Sequence, residues 1–476
     1  MAYNIAYQVL QIILPLITAP YVSRVLGVDG VGTYSYIYSI AYYFGLCGML
    51  GVSNHGNRSI AIAKNSDDPK RLSRTFWNIY SIQLITTLIA LVSYVVYILF
   101  FCSYDKVIAW IAIFFVLSYV LDINWFFFGM EQFKITVVRN TLIKLLTTVC
   151  VFIFVNKKSD LWLYVLIMAL GMVFSQLYLW IKLRQYISFV KPDFSEMCKN
   201  LKPMLILFIP VIAYSIYKVM DKIMLGSMSS VTEVGYYENA DKIINIPTGI
   251  ITAFGTVMMP RIASLVSTNS STAARTYTER SFKYFSLIAF GMSFGLIGTS
   301  EVLAPVYFGE DFAESAPLIQ GLSVTIIFMT WANIIRTQYL IPHKKDRPYV
   351  VSTIVGSVLN LCCNLTFIPM WGAEGALIGT VIAEFSVFFV QAVYVRKVLS
   401  MWRDLKPCIL FFVSGLVMAF LVSQIGSIMG QQIITLAVQV LAGFIVYIAI
   451  SLLLMIICGD KEVAQLLSKA KSRLTH

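Results

Sequence analysis

Long apolar stretches recur along almost the whole chain, and they constrain its fold more than any other feature. About fourteen of them can cross a bilayer, because a hydrocarbon core of about 30 Å takes about 20 residues of helix. The sequence is 58% hydrophobic and only 13% charged, whereas soluble domains carry about 25% charged residues. The chain is therefore predicted to be an all-α, polytopic membrane protein with about fourteen transmembrane helices.

The predicted spans follow one another closely, and the first two run together with only a turn at Gly27–Gly32 between them. The connections are too short to hold a soluble catalytic domain. The predicted spans are 4–25, 32–54, 77–101, 107–129, 136–156, 160–181, 203–226, 237–259, 281–301, 315–340, 349–369, 374–395, 408–428 and 433–457.

Basic residues alternate along the chain with the predicted spans. They cluster in every second connection, for example 55–76 and 182–202, and in the C-terminal tail. Cytoplasmic loops of membrane proteins carry the excess of Lys and Arg, so both termini are predicted to be cytoplasmic. The same rule accounts for the net charge of +12, and no nucleic-acid partner is expected. The bases of the tail are Lys461, Lys469, Lys471 and Arg473.

A short motif occurs twice, near the start of the chain and again midway. The Val-Gly pair that begins at Val31 returns at Val234, and Arg58 returns as Arg261, both after 203 positions. A common offset over that distance indicates duplication, and internal repeats in membrane proteins are typical of transporters. Because six spans lie in each copy, both copies enter the membrane from the same side. They form a parallel repeat about an axis along the membrane normal.

The repeat divides the chain into two six-helix lobes and a C-terminal extension. We predict an N-lobe at 1–185, an interfacial linker at 186–202 and a C-lobe at 203–398. The last segment, 399–476, holds helices thirteen and fourteen and the cytoplasmic tail. The linker has the character of an amphipathic segment at the membrane surface.

Several charged residues fall inside or at the ends of the predicted spans. A charge at mid-bilayer costs roughly 2.5–3.5 kcal/mol on insertion scales, so those that persist face a cavity or a partner. Bases dominate, and a cation-lined cavity between the lobes would attract a diphosphate, whose oxygens match the fork of arginine. The candidate substrate-binding residues are Arg24, Arg58, Arg261, Lys218, Lys222 and Arg336. The ionisable candidates for ion coupling are Asp221, Asp241 and Glu384.

These residues also have purely structural interpretations. Arg58 and Arg261 lie near helix ends, where a long side chain can reach the membrane surface and anchor the topology. Lys218, Asp221 and Lys222 are spaced so that two of them could form an ion pair within one helix.

No cofactor is expected from the sequence. The cysteines and histidines show no metal-ligand spacing, and no Walker motif indicates ATP hydrolysis. An ion gradient, the membrane potential or both would then drive transport. Glu384 could serve as a protonatable coupling site or could be a neutral buried acid.

Several stretches resemble a known family of transporters. The opening Leu14–Gly27 with Val31–Tyr36, together with Gly56–Arg58 and Trp125–Lys134, is similar to the Wzx-type polysaccharide flippases. These belong to the multidrug/oligosaccharidyl-lipid/polysaccharide exporter superfamily, and the resemblance covers essentially the whole chain. It implies a V-shaped pair of six-helix bundles and alternating access. It also implies a lipid-linked oligosaccharide as cargo, usually on undecaprenyl diphosphate.

The resemblance implies roles for individual residues as well. In related lipid II flippases, arginines of the cavity contact the head group, and their counterparts here would be Arg24, Arg58 and Arg261. Those relatives hold the prenyl tail in a groove beside the last two helices. The corresponding region here is Cys408–Cys458, which is apolar.

The sequence thus favours a flippase of the bacterial inner membrane, not an enzyme. Its cargo would be an undecaprenyl-diphosphate-linked oligosaccharide repeat unit, moved to the outer leaflet for O-antigen or capsule synthesis. Expected partners are membrane lipid, a polysaccharide polymerase and a chain-length regulator.

Three alternatives stay open at this point. A lipid II-type flippase for peptidoglycan precursors would share the mechanism and differ in cargo. A cation-coupled multidrug antiporter would need acidic cavity residues, whereas bases dominate here. A membrane-embedded polysaccharide polymerase or ligase would need a large external loop, and the external connections are short.

Overall fold

The computed structural model describes the backbone of residues 2–68, 70–102, 104–268, 271–399, 405 and 407–460, and their side chains except those of 2–12 and 271. Every regular element in these ranges is a helix, as the sequence predicts. The bases of the tail, Lys461, Lys469, Lys471 and Arg473, lie outside the described residues. The cytoplasmic position of the tail therefore stays a prediction.

The helices are numbered along the chain. In the first half they are α1 (Ala2–Met49), α2 (Val52–Lys64), α3 (Arg71–Phe100), α4 (Lys106–Ile111), α5 (Ile113–Val120), α6 (Asn124–Gly129), α7 (Phe133–Phe154), α8 (Leu161–Leu183) and α9 (Phe194–Met228). In the second half they are α10 (Val231–Ser267), α11 (Ser271–Phe308), α12 (Ser315–Ser323), α13 (Thr325–Ile335), α14 (Asp346–Val395), α15 (Cys408–Met429) and α16 (Ile433–Ile457). A π-helical turn, Arg336–Leu340, follows α13.

Two of these helices are long enough to cross a membrane twice. At 1.5 Å per residue, the 48 residues of α1 and the 50 residues of α14 would extend about 72 and 75 Å. Each is broken by a glycine: Gly27 has φ 71° and Gly372 has φ 55°, values that side chains other than glycine's disfavour. Eleven helices of the described residues, α14 among them, are long and apolar enough to span. Counting the halves of α1 and α14 separately gives fourteen crossings, in agreement with the prediction.

The second predicted span, 32–54, extends beyond the helix that the structure shows. α1 ends at Met49, Gly51 takes a left-handed conformation with φ 77°, and α2 leaves at an angle of 41°. The apolar pattern runs through this bend because Val52, Ile60 and Ala63 of α2 are buried against protein. Hydropathy alone does not separate burial in protein from burial in lipid.

By their contacts the residues form two compact units, 1–238 and 239–476. Unit 1 holds α1–α9 and the first two turns of α10, and unit 2 holds the rest. The lobes predicted from the sequence meet at the linker 186–202. They were drawn from the repeat in the sequence, whereas the two units are defined by contacts in the structure. The lobe boundaries therefore stay a prediction.

The core of unit 1 is aromatic. Trp125, Phe126 and Phe127 of α6 are each at most 1% exposed and pack with Phe76 of α3. The indole Nε1 of Trp125 donates to Oε1 of Gln83 at 2.9 Å, so the polar edge of the ring is paired as well. This cluster fixes α6 between α2 and α3, which explains the run of large aromatic residues at this place in the sequence.

In unit 2 hydrogen bonds join the last helix, α16, both to α11 and to α15. The Tyr447 hydroxyl of α16 donates to the carbonyl oxygen of Leu287 at 2.6 Å, and Gln439 Nε2 donates to that of Val422 at 2.9 Å. The other faces of α15 and α16 are apolar and open, with Ile428 and Ile433 more than 70% exposed. Exposed apolar side chains of this density suit contact with lipid tails.

The two copies of the repeated motif pack against each other within unit 1. A Cβ on Gly32 would overlap the carbonyl oxygen of Val231, and a Cβ on Gly235 would overlap that of Val28. Val28 and Val231 are themselves 203 positions apart. The contact is therefore reciprocal, because each copy offers the same valine carbonyl and the same glycine. Close backbone approach requires glycine on both sides, which explains why the Val-Gly pair recurs.

Two hydrogen bonds flank this glycine contact, and both join repeat counterparts. Thr232 Oγ1 donates to Asp29 Oδ1 at 2.6 Å, and Ser35 Oγ donates to Glu238 Oε2 at 2.8 Å. In each pair the two residues are 203 positions apart. Residues that meet their own counterparts lie at a local twofold axis. The repeat found in the sequence is thus also a contact in the fold.

Candidate functional site

An ion pair inside the helices of unit 1 is the centre of the candidate site. Lys222 Nζ of α9 lies 2.5 Å from Glu238 Oε2 of α10, and both side chains are about 15% exposed. The same carboxylate oxygen accepts the hydrogen bond from Ser35 of α1. Three spanning helices therefore converge on one carboxylate and one ammonium group.

The neighbouring acid, Asp221, is bound in a different way. Its side chain is 3% exposed, and its Oδ2 accepts a hydrogen bond from the hydroxyl of Tyr237 at 2.9 Å. The sequence allowed an ion pair within α9 between two of Lys218, Asp221 and Lys222, whereas in the structure Asp221 and Lys222 both have partners on α10. Two adjacent charged residues of α9 therefore both contact the second copy of the motif.

Lys218 lies one turn before Lys222 on α9. Its ammonium nitrogen is 5.2 Å from the ring centroid of Tyr217, a distance at which a cation and an aromatic face attract each other. The side chain is half-buried. Two of the predicted cations therefore follow each other along one helix of unit 1.

Three tyrosines of α1 line the same region. Tyr34, Tyr38 and Tyr42 are spaced by four residues, which places them on one face of the helix, and all three are half-buried. We call them the tyrosine ladder. The rings of Tyr34 and Tyr38 stack at 5.8 Å, and Tyr164 of α8 lies 4.9 Å from Tyr34. Glu238 is close enough to interact electrostatically with Tyr34, Tyr38 and Tyr164.

Arg24 and Arg58 both have exposed side chains in unit 1. Arg24 lies one turn before the break of α1 at Gly27. Arg58 lies on α2, two residues after Gly56, whose backbone packs against the ring of Trp125. Arg24 thus lies next to a glycine break in its helix, and Arg58 next to a glycine that packs closely against another helix.

The other predicted residues belong to unit 2, where they occupy four separate positions along three helical segments. Asp241 is half-buried near the start of α10, and Arg261 is exposed near its end. The guanidinium of Arg336, in the π-helical turn, lies 5.5 Å from the ring centroid of Tyr349. Glu384, on the second half of α14, is 2% exposed.

Two functional candidates were not predicted from the sequence. Glu238 was passed over, although its offset of 203 from Ser35 could have placed the two together. Arg139 was also missed: it is 4% exposed, and its Nη2 donates to Asn124 Oδ1 at 2.8 Å, while Asn124 Nδ2 donates to Asp122 Oδ1 at 2.7 Å. This chain of contacts joins α6 and α7, and pairings between helices leave no periodic signal in a sequence.

Within the described ranges, no three His, Cys, Asp or Glu side chains converge as a metal site would require. The groups brought together at the candidate site of unit 1 are ammonium groups, carboxylates and phenols on spanning helices. Such a set can bind an anion and hydroxyl groups together.

Comparison with known proteins gives the family. A family model described as "Polysaccharide biosynthesis protein" matches residues 1–266, more than half of the chain. A relative from Shigella dysenteriae, named "Putative O-antigen transporter", is 22% identical over 385 residues, which is 80% of this chain and 95% of the relative. A relative of the same name from Escherichia coli K12 is 24% identical over 389 residues, 81% of this chain and 93% of the relative.

Solved structures agree at the level of the fold. The lipid II flippase MurJ in an inward closed conformation superposes with a TM-score of 0.77 at 14% identity, covering 95% of this chain and 98% of that one. An inward-facing multidrug transporter of the MATE family and MOP superfamily gives a TM-score of 0.59 at 15% identity, covering 83% and 99%. The family match and the relatives confirm the resemblance drawn from the motifs. The chain belongs to the polysaccharide biosynthesis protein family.

Proposed function

We propose that the protein is a flippase that moves an undecaprenyl-diphosphate-linked oligosaccharide repeat unit from the inner to the outer leaflet of the bacterial cytoplasmic membrane. The observation that carries this proposal is the Lys222–Glu238 pair, a cation and a carboxylate held on spanning helices beside the tyrosine ladder. The family and the names of the two relatives support a lipid-linked saccharide as cargo.

In this proposal the diphosphate exchanges with Glu238 as the partner of Lys222. A diphosphate offers more negative charge than one carboxylate, and charge-assisted hydrogen bonds to it are strong. Arg24, Arg58 and Arg261 are the further proposed contacts, with Lys218 and Arg336 assisting.

The saccharide would lie against the tyrosine ladder. A phenol has an apolar body and a polar tip, which suits the apolar faces and the hydroxyls of a sugar ring. The half-buried state of the three rings leaves part of each accessible. The prenyl tail would stay in lipid, next to the open apolar faces of α15 and α16.

The proposed driving force is an ion gradient, the membrane potential or both. Asp221, Asp241 and Glu384 are the proposed ionisable residues, and of these Asp221 and Glu384 are almost fully buried. The proposal includes alternating access, cytoplasmic termini, and a polysaccharide polymerase and a chain-length regulator as downstream partners. Transport, rather than catalysis, is the proposed activity.

The test is a reconstituted assay with labelled undecaprenyl-diphosphate-linked saccharide in proteoliposomes. Translocation would be measured as exposure of the sugar to a glycosidase that does not cross membranes. We expect Lys222→Ala to lower the initial rate at least tenfold. Lys199→Ala is the matched control, since Lys199 is an exposed base on the same helix, and it should stay within twofold of wild type.

The same assay separates the alternatives. Equal transport of lipid II would favour a peptidoglycan-precursor flippase, and uptake of a cationic dye without saccharide movement would favour a multidrug antiporter. Elongated saccharide products would indicate a polymerase or ligase. Wild-type rates in Lys222→Ala and Arg58→Ala together would contradict the proposed diphosphate contacts.

A further inference from the structure

Polar side chains gather inside unit 1 at the place where the fourth predicted span is broken. α5 ends at Val120, and α6 begins at Asn124. At the break, the carbonyl oxygens of Tyr119 and Asp122 accept from Gln83 Nε2 at 3.0 and 2.7 Å. Backbone groups of a broken span need such partners within a membrane, so the break is a defined part of the fold.

Hydrogen bonds extend from the break to α7 and α8. Asn124 Nδ2 and Arg139 Nη1 both donate to Gln176 Oε1, at 3.3 and 3.4 Å. Arg139 Nη2 also donates to Asn140 Oδ1 at 2.6 Å. Together with Asp122, whose Oδ1 accepts from Asn124, these residues form what we call the amide cluster. All of them except Arg139 are half-buried, so the cluster retains accessible surface.

Two polar atoms of the amide cluster have no partner among the described residues, namely Asp122 Oδ2 and Gln176 Nε2. Neither atom belongs to the fully buried unpaired atoms of this part of the chain, so a ligand can reach both. A carboxylate oxygen accepts a hydrogen bond and an amide nitrogen donates one. The two atoms therefore suit the hydroxyl groups of a sugar, which can do both.

Lys144 lies one turn beyond Asn140 on the same side of α7. It is in the middle of the 22 residues of the helix, about 16 Å along it from Phe133, and its side chain is too short to reach a membrane surface from there. Leu142 and Leu146 of the lipid-facing side are more than 50% exposed, whereas Lys144 is half-buried. Among the described residues, no carboxylate or other acceptor binds its ammonium group.

The charges at the amide cluster leave one positive charge in excess. Arg139 and Lys144 are bases, and Asp122 is the one acid beside them in the cluster. A charge in the middle of a span faces a cavity or a partner, so the excess indicates a ligand group with one negative charge. The diphosphate carries more than one, and Lys222 is already its proposed partner.

The amide cluster adjoins the tyrosine ladder. The ring of Tyr119 packs against Gly45 of α1, which lies one turn after Tyr42. Tyr119 is also close enough to Asp122 to interact with it electrostatically, and it interacts in the same way with Tyr38 and Tyr42. A saccharide of several rings on the ladder therefore extends to the cluster.

We propose that the amide cluster and Lys144 form a subsite for an acidic sugar of the cargo. The sugar carboxylate pairs with Lys144 Nζ, one hydroxyl donates to Asp122 Oδ2, and another accepts from Gln176 Nε2. This inference rests on the proposed function for the saccharide and adds its class, a repeat unit that contains a uronic acid. Lys144 thus determines specificity, whereas Lys222 binds the diphosphate that all such cargoes share.

The experiment measures the binding of two soluble glycosides to the purified full-length protein in phosphatidylcholine nanodiscs. Nitrophenyl β-glucuronide and nitrophenyl β-glucoside differ only in a carboxylate that replaces a hydroxymethyl group. By isothermal titration calorimetry, with empty nanodiscs as the blank, wild type should bind the glucuronide at least tenfold more tightly than the glucoside.

Three variants at lysines of α7 test the assigned contact. Lys144→Met should bind the two glycosides within twofold of each other, because the ammonium group is lost. Lys144→Arg keeps the charge and should keep most of the preference. Lys134→Met removes the same charge from an exposed position at the start of α7 and should keep all of it. Since Lys144→Met removes an unpaired charge from the interior, its melting temperature should equal or exceed that of wild type.

The proteoliposome assay, run with undecaprenyl-diphosphate-linked saccharides with and without glucuronate, separates this inference from the proposed function. Lys144→Met should slow only the acidic cargo, whereas Lys222→Ala should slow both. Binding of the glucuronide through Lys144 without movement of either cargo would contradict the proposed function and leave the subsite confirmed. Equal binding of the two glycosides by wild type, or an unchanged preference in a folded Lys144→Met protein, would overturn the subsite.

Discussion

The two copies of the repeated motif, 28–35 and 231–238, share a backbone contact and differ in their chemistry. Gly32 and Gly235 approach the partner valine carbonyls in the same way. The acids, however, lie at opposite ends: Asp29 has Thr232 as its counterpart, and Ser35 has Glu238. Packing has been kept in both copies, whereas the charged residue that binds Lys222 exists in the second copy only.

The tyrosines of the two copies show the same division. Tyr34 and Tyr237 are counterparts in the repeat. Tyr34 is half-buried and belongs to the tyrosine ladder, while Tyr237 is 3% exposed and donates to Asp221. One copy thus presents its ring at the candidate site, and the other uses its hydroxyl to fix a buried acid.

The largest expected effect on stability comes from disrupting the close glycine contact that both copies of the motif make. Gly32→Ala and Gly235→Ala each place a Cβ against a carbonyl oxygen that is part of the backbone. Overpacking costs typically 1–3 kcal/mol and occasionally more, and backbone cannot move aside easily. We expect losses of about 3 kcal/mol or more in the free energy of unfolding for both variants, measured by denaturant titration in detergent.

Gly295→Ala is the control for the glycine variants. A Cβ at Gly295 of α11 would meet only Met418 Cε, at 3.9 Å, so a change below about 0.5 kcal/mol is expected. A large loss for Gly32→Ala with none for Gly235→Ala would show that the contact is not reciprocal.

The second prediction concerns Glu238, the acid at this position that only the second copy of the motif has, and its partner Lys222. Lys222→Ala removes the ammonium group that pairs with Glu238, whose side chain is about 85% buried, and breaking a fully buried pair costs about 3–5 kcal/mol. We expect the free energy of unfolding to fall by about 3 kcal/mol. The double variant Lys222→Ala/Glu238→Ala should recover at least half of this loss. Additive losses in this double-mutant cycle would mean that the pair is not coupled.

The third comparison sets the two tyrosines against each other. Tyr237→Phe removes a hydrogen bond to a buried carboxylate, for which about 1.5–3 kcal/mol is expected. Tyr34→Phe, the same change in the first copy, should cost less than about 1 kcal/mol. The melting temperatures of the two variants, measured side by side, test this prediction. Equal shifts in melting temperature would contradict the different roles assigned to Tyr34 and Tyr237.

The smallest effect concerns the flanking hydroxyls. Ser35→Ala should cost about 1 kcal/mol, because its hydrogen bond goes to the half-buried Glu238. Thr232→Val, at the exposed Asp29, should cost about 0.5 kcal/mol, since water can replace the bond there. The reverse order in a denaturant titration would show that the Thr232–Asp29 bond stabilises the contact more than the Ser35–Glu238 bond does.

Most of the fold could be predicted from hydropathy, because every spanning helix needs the same length of apolar sequence. The bend after Met49 could not, since α2 buries its apolar residues in protein while the pattern continues unchanged. The helix broken at Gly372 was predicted as two spans, and the offset of 203 placed the two Val-Gly pairs correctly as repeat counterparts.

The candidate site could be predicted only as a set of residues. Asp221 and Lys222 were recognised from their charge, yet their partners Tyr237 and Glu238 lie on another helix. Sequence spacing describes neighbours on one helix and contains nothing about pairs between helices. The offset of the repeat was the one signal that reached across helices, and it joins Ser35 to Glu238.

The reciprocal glycine contact has the geometry of a symmetric homodimer. Two separate half-length chains meeting in this way would present identical residues on both sides, so any carboxylate at the axis would face its own copy and repel it. Fusion into one chain removes that restriction. A glutamate can then stand opposite a serine, as Glu238 does opposite Ser35, and a single cation can be bound on one side of an otherwise symmetric interface.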